Sequence, residues 1–223
     1  PVVASDPTVS TAVLIGTALS SQAPDADSLL RFKGNATYVR NHRGRSHSLP
    51  AVVLWTGLIT CFLAALFRDI PVFYVGMWVL IAVCVHIFTD LFNAYGTQAL
   101  WPFSEKWIAW NIIHIFDPVI FFAHLVAVLL WLGRAASPAS LFPALYAFIA
   151  VYYVWRTAIH FYVKRQIVRQ DRHRESGDRY DLVPTVRLNV WNVLKRKKDG
   201  QFLSGEFRNN RLRWVDRAQP SNH

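Results

Sequence analysis

The chain has 223 residues, 53% of them hydrophobic and 14% aromatic, with nine tryptophans, a formal charge of +10 and a mean hydropathy of +0.22. A soluble domain seldom combines that much apolar surface with that much charge, whereas a multi-span membrane protein with a basic tail does so naturally. Residues 164–223 carry 15 Lys and Arg against 7 Asp and Glu, a net of +8, which reads as positive-inside bias; no specific nucleic-acid binding is expected.

In chain order, the first segment is Thr8 to Ser21, mildly apolar and short for a full span. The chain opens on Pro1 with no charged n-region, so a fragment or processed form is expected, with one helix missing at the N-terminus and no signal peptide. Pro24-Asp25-Ala26-Asp27 places two carboxylates just after a proline, a pattern that serves either as a turn or cap or as a cation ligand. Arg31 to Pro50 is a polar, basic connection containing Asn41-His42-Arg43-Gly44-Arg45-Ser46-His47-Ser48. Its glycine allows a sharp turn that would aim both imidazoles at one point, with Arg40, Arg43 and Arg45 neutralising an anionic substrate; a solvated basic loop facing anionic lipid is the other reading.

Ala51 to Phe67 and Val72 to Phe92 are apolar runs separated by Arg68-Asp69-Ile70-Pro71, and they predict two membrane helices in a tight hairpin. The second run acquires His86, Asp90 and Asn93 as it ends. On a helix His86 and Asp90 share a face, with Asn93 one turn on. An ionisable pair inside an apolar segment costs several kcal/mol unless paired, hydrated or bound to metal, so a hydrogen-bonded structural pair and a metal site both remain open here. Glu105 to Asp117 is tryptophan-rich, with Trp107 and Trp110, like Trp101, expected as interfacial anchors. Val119 to Leu132 and Leu141 to Val163 predict two further spans, whose His124 and His160, like the preceding His114, read as packing or belt groups.

Lys164 to Glu175 extends the last helix as a charged stalk, after which Leu182 to Leu194 and Gln201 to Trp214 read as strands joined by Lys197-Lys198-Asp199-Gly200. The expected fold is an all-α polytopic membrane helical bundle over residues 1–163, about five spans visible and one missing, with a small β-rich cytoplasmic C-terminal appendage over residues 164–223. Cys61 and Cys84 fall in apolar runs and read as small core residues.

A cytoplasmic basic tail fixes the rest of the topology. The loop from Asn93 to Pro118 and the basic loop from Arg31 to Pro50 are then cytoplasmic too, which gathers Asp25, Asp27, His42, His47, His86, Asp90, Asn93 and Asp117 at one membrane face. Mixed imidazole and carboxylate ligation suits zinc, manganese or iron. A bound metal of this kind makes a hydroxide nucleophile near neutrality, which points to hydrolysis. No Gly-x-Ser-x-Gly elbow, P-loop or dinucleotide fingerprint is present.

At Pro24-Asp25-Ala26-Asp27, at His42-Arg43-Gly44-Arg45-Ser46-His47-Ser48, at His86 with Asp90, and at Asn93-Ala94-Tyr95-Gly96-Thr97 followed by Trp101-Pro102-Phe103-Ser104, the sequence resembles the YdjM-like family of integral-membrane metal-dependent hydrolases. That family is known from a LexA-regulated inner-membrane protein of bacteria. The motifs cover roughly residues 8 to 120. The resemblance implies a multi-pass bacterial inner-membrane protein, a divalent metal, zinc foremost, and the ligands Asp25, His42, His47, His86 and Asp90, with Asp27, Asn93 and Asp117 as additional or supporting groups. Asp90, His86 and Asn93 are the residues it implies for catalysis. Family members usually begin with a further helix bearing a Thr-His pair, which this chain lacks.

The function expected is hydrolysis at the cytoplasmic membrane face, of a phosphoester or lipid-derived substrate bound by Arg40, Arg43 and Arg45. A membrane scaffold or regulator whose basic tail binds anionic lipid head groups or a partner is the non-enzymatic alternative. A cation transporter would place its polar groups near the bilayer midplane, deeper than His86 and Asp90 lie in their run.

Overall fold

The computed structural model describes residues 6–27 and 43–218, which divide into two compact units, residues 1–110 and 111–223. The first is built from α1 (Pro7–Ser20), a 3-10 turn (Arg45–His47), α2 (Leu49–Leu66) and α3 (Val72–Asp90). Each helix start is legible in its residues. Asp6 accepts the backbone N–H of Thr8 at 2.7 Å as a cap and Pro7 follows it, Pro50 occupies the first turn of α2, and Pro71 precedes α3.

Ala12, Leu63, Val75 and Val79 are fully buried where the three helices meet. α1 approaches so closely that a Cβ on Gly16 would lie 2.8 Å from Cδ1 of Leu63 and 3.0 Å from Cγ2 of Val79, the small-residue contact expected where helices pack within a bilayer. Large apolar side chains such as Val53, Phe62 and Phe73 instead point outward, Phe73 being 89% exposed. Water-exposed surfaces do not carry such a face, and lipid-exposed ones do.

The second unit contains α4 (Pro118–Leu132), α5 (Pro138–Gln170) and an antiparallel sheet of β1 (Arg179–Pro184), β2 (Val190–Arg196), β3 (Phe202–Arg208) and β4 (Arg211–Ala218), in the order β1-β2-β3-β4. The helix runs past Val163 into the charged stretch, and the sheet packs along its end: Val163 and Ile167 form a core with Tyr180, Leu182, Trp191, Val193 and Phe207. Deeper on α5, the buried Arg156 guanidinium donates to the carbonyls of Leu188 (2.9 Å) and Ile112 (3.4 Å) and lies 4.7 Å from the Trp191 ring.

Among the described residues three helices, α2, α3 and α5, are long and apolar enough to cross a membrane. Thr8–Ser21 and Val119–Leu132, counted towards about five spans in the sequence, form helices of 14 and 15 residues. At ~1.5 Å rise per residue these are near 22 Å long, short of a hydrocarbon core of ~30 Å. α4 is bounded by its Asp117 cap and by Gly133, and α1 by Asp6 and Ser21. The tail is β-rich as expected, and the Lys197–Gly200 turn joins β2 to β3. Each predicted strand run breaks into two, however: Asn209 and Asn210 both adopt positive φ (49° and 58°) in a tight turn between β3 and β4.

The sheet is fastened to the helix end by a buried ammonium. Lys195 donates to Oδ2 of Asp171 (2.6 Å), to the carbonyl of His173 (2.8 Å) and to Oδ2 of Asp178 (2.8 Å), so all three of its N–H groups are spent. Tyr180 adds its hydroxyl to the same Asp171 oxygen at 2.6 Å. Burial disfavours both charges, but Asp171 and Asp178 raise the Lys195 pKa above its ordinary value, and Lys195 with Tyr180 holds the Asp171 carboxyl below its own. A lowered carboxyl stabilises the fold above its unfolded value and loses that contribution as pH falls through the folded one; a raised amine does so below its unfolded value and loses it as pH rises. The sheet is therefore most stable between about pH 4 and 10. Lys195→Ala leaves two carboxylates without their cation and is expected to cost about 3–5 kcal/mol, read as selective proteolysis after residue 170 of the detergent-purified protein.

Candidate metal centre

Four side chains of the first unit, Asp25, His47, His86 and Asp90, each offer one ligand atom, and these atoms lie within 4.8 Å of one another. Every member is delivered by an identifiable local structure. Asp25 belongs to a short 3-10 turn over residues 23–27 that follows α1. His47 ends the 3-10 turn before α2, entered through Arg43 with its φ of 61°. His86 and Asp90 are one turn apart at the end of α3, where the buried row Val75, Val79, Val83, Ile87 closes on Asp90.

His47 Nε2 lies 3.4 Å from Asp25 Oδ1, 3.1 Å from Asp90 Oδ2 and 3.4 Å from His86 Nε2. His86 Nε2 is 3.7 Å from Asp25 Oδ2 and 3.5 Å from Asp90 Oδ2. Around an ion with bonds of about 2.0–2.1 Å, tetrahedral ligand atoms stand roughly 3.3–3.4 Å apart, so the spacing fits a small divalent cation.

The proton positions strengthen that fit. His86 Nδ1 is 2.8 Å from the Ser21 carbonyl, which can only accept, so this nitrogen carries the hydrogen. His47 Nδ1 faces Ser46 Oγ at 2.9 Å; the Ser46 hydroxyl is itself spent on Asp27 Oδ2 at 2.6 Å, so Nδ1 donates here as well. In the neutral rings both Nε2 atoms are then bare lone pairs, facing Asp25 Oδ1 and Asp90 Oδ2, two buried oxygens that no hydrogen bond satisfies. Acceptors gathered without a proton need a cation among them.

Without a metal, a proton on His47 is the available substitute. Burial pushes the His47 imidazole down, yet Asp25 and Asp90 outweigh it and its pKa is raised; the adjoining His47, with His86 and Arg43 behind it, holds the Asp25 carboxyl below the usual range against its own burial. Asp90 is fixed from its other oxygen: Oδ1 accepts from Arg43 Nη2 (3.2 Å) and Asn93 Nδ2 (3.1 Å). Asn93 Oδ1 in turn accepts the N–H groups of Tyr95 and Gly96 at 3.0 and 3.2 Å. Gly96 has a φ of 64°, and a Cβ there would run into the Ile108 carbonyl, so the turn that holds Asn93 requires glycine.

Among the other residues expected at the site, Asp27 stands behind the ligands: its Oδ2 accepts from the backbone N–H of Arg43 (2.7 Å) and from Ser46. Arg43 is 5% exposed beside Asp90, and its Nε and Nη1 have no hydrogen-bond partner among the described residues. Arg45 is exposed, with its guanidinium 5.3 Å from the Trp101 ring. Asp117 belongs to the second unit, where Oδ1 caps α4 and Oδ2 accepts from Tyr152 at 2.7 Å. His42 and Arg40 lie outside the described residues. Ser46 and the Ser21 carbonyl were not anticipated; a serine beside a ligating histidine is a weak sequence signal, and a backbone carbonyl is none.

The model of the YdjM inner membrane protein family matches residues 2–163. The chain belongs to this family of inner membrane proteins. It is 41% identical over 196 residues to the uncharacterized protein YfhP of Bacillus subtilis (strain 168), an alignment covering 86% of this chain and 58% of that protein. The chain thus spans little more than half the length of this relative. No solved structure matches it. The family match embraces all four clustered residues of this YdjM family member.

Partners behind ligands usually contribute 10–100-fold to metal affinity. Ser46→Ala and Asp27→Asn, which unfix the His47 ring without touching a ligand atom, are expected to weaken metal binding by roughly that factor in competition titrations with a chelator. Affinity should also decline as pH falls through the raised His47 value, because the metal then displaces a proton; a pH-independent affinity would contradict this.

Proposed function

We propose that the chain is a metal-dependent hydrolase working at the cytoplasmic membrane face, with Asp25, His47, His86 and Asp90 as ligands of one divalent ion. The carrying observation is the convergence of two imidazoles and two carboxylates, one ligand atom each within 4.8 Å, with both Nδ1 atoms engaged from behind by Ser46 and the Ser21 carbonyl. Zinc is the ion proposed, manganese and iron being compatible with the same donor types. Such an ion supplies an acidified water as nucleophile and polarises the bond to be cleaved.

The protein's own groups have distinct tasks in this reading. The His47 side chain is fully buried and those of Asp90 and His86 are 12% and 13% exposed, whereas Asp25 is 36% exposed, so water and substrate reach the site past Asp25. Arg43 keeps positive charge and, among the described residues, two nitrogens without hydrogen-bond partners beside the ligands, suited to an anionic substrate oxygen. Asn93 acts through Asp90, whose carboxylate it orients, and is a positioning residue. Arg45 adds charge at the level of Trp101. The cytoplasmic assignment of the tail is supported by the 15 Lys and Arg against 7 Asp and Glu in residues 164–223; the metal centre shares that face when α4 crosses as well as α5, which a 15-residue helix does by local thinning of the bilayer.

Elemental analysis of the detergent-purified protein tests the reading. Near-stoichiometric transition metal is expected in the natural sequence and is lost in His47→Ala and Asp90→Asn, with phosphoester hydrolysis reduced at least about 10²-fold in both. Metal-free protein of unchanged fold and undiminished hydrolysis would refute it.

A further inference from the structure

We infer that the site takes a phosphate-bearing membrane lipid, its acyl chain lying in a groove between α1 and α3 and its phosphate against Arg43; this rests on the metal reading above and specifies its substrate class. The groove has a volume of about 340 Å³ and is lined by Val9, Val13, Leu14, Thr17, Tyr74 and Trp78, together with Ser10. Thr17 offers no free donor to an occupant, because its hydroxyl is bonded to the carbonyls of Val13 (2.9 Å) and Leu14 (3.1 Å). The lining is therefore apolar in effect, suited to hydrocarbon and not to a sugar or nucleotide.

The groove and the metal centre are carried by the same two helices. α1 ends beside Ser21, whose carbonyl holds His86 near the end of α3, so the helices run parallel and both lead from the groove to the ligands. Trp78 and His86 are eight residues apart on α3, about 12 Å at ~1.5 Å per residue. One leaflet of hydrocarbon is about 15 Å deep, so a lipid with its head group at the ligands brings its acyl chain to the level of the groove. The volume sits at the lower end of the range of small-molecule sites, about 300–1,000 Å³, which favours one chain over a whole helix.

At the other end, Arg43 is 5% exposed, spends one nitrogen on Asp90 and has its guanidinium 5.7 Å from the Tyr95 ring, while Nε and Nη1 are buried without hydrogen-bond partners among the described residues. A guanidinium held in this state is suited to phosphate oxygens, which accept several charge-assisted hydrogen bonds at once. A neutral lipid would leave those donors unsatisfied.

The test is a native mass spectrometry titration of the full chain in detergent with three probes: dioleoyl phosphatidic acid, glycerol 3-phosphate and dioleoylglycerol, with metal content measured on every sample. Phosphatidic acid should bind best. Val13→Trp, and Leu14→Trp at a position already 66% exposed, should each weaken it by about tenfold or more while metal content is unchanged. Arg43→Gln should abolish the preference for phosphatidic acid over dioleoylglycerol. Equal affinity for glycerol 3-phosphate and phosphatidic acid, indifferent to both groove variants, would overturn the inference in favour of a soluble phosphoester, and equal affinity for dioleoylglycerol would overturn the role of Arg43. Unaltered lipid binding in metal-replete variants refutes this inference alone, whereas natural-sequence protein that takes up no metal refutes the hydrolase reading beneath it.

Discussion

Two imidazoles and two carboxylates each bring one ligand atom to within 4.8 Å of the others, and the rest of the first unit is arranged around that convergence. Each imidazole is held from behind by a group that obliges Nδ1 to carry the proton: the Ser21 carbonyl for His86, and the Ser46–Asp27 pair for His47. Asp90 is held from behind by Arg43 and Asn93. Supports of this kind orient the inner atoms and prevent them from relieving their mutual repulsion by turning away. The arrangement is stable with a cation at its centre or with a proton on His47, and the raised His47 pKa expresses the second of these. A metal bound there would compete with that proton for one place.

This centre lies where three chain segments come together at the ends of membrane helices. Close contact of α1 with α2 and α3 at Gly16 brings Asp25 to His86, and the turn at Gly96 places Asn93 behind Asp90. Because lipid rather than water surrounds the helices, their outward faces are apolar and polar groups collect at the helix ends, where backbone and side-chain partners can satisfy them. The second unit solves a similar problem with other residues. Lys195 is buried with two carboxylates and a carbonyl, and Arg156 donates to the carbonyls of Ile112 and Leu188, so the sheet is bound to the end of its helix by hydrogen-bonded charge as well as by apolar contact.

How much of this was legible in the sequence depended on how locally each feature is determined. The i, i+4 pairing of His86 and Asp90 follows from helix geometry alone and is found as expected. Nothing in the local sequence separates Asp25 from Asp27; the family resemblance ranks Asp25 as the ligand, and in the fold Asp25 faces the histidines while Asp27 accepts from the Arg43 backbone and Ser46. Asp117 was grouped with the ligands because topology put it at the same membrane face, yet an Asp-Pro step ahead of an apolar run is equally a helix cap, and its Oδ1 has that role. The expected five spans depend on the two shortest apolar runs, and these form α1 and α4, helices of 14 and 15 residues that are shorter than the hydrocarbon core. Of the two extra hairpins in the tail, the β3–β4 one turns on Asn209 and Asn210, whose left-handed backbone makes a break that the alternating strand pattern conceals.

X-ray absorption spectroscopy of the metal-loaded protein addresses the central claim most directly. Two imidazoles and two carboxylate oxygens predict a shell of nitrogen and oxygen at about 2.0–2.1 Å, with the imidazole scattering halved in His86→Ala. Sulfur at about 2.3 Å, from Cys61 or Cys84, or a metal environment unchanged by His86→Ala, would contradict the account.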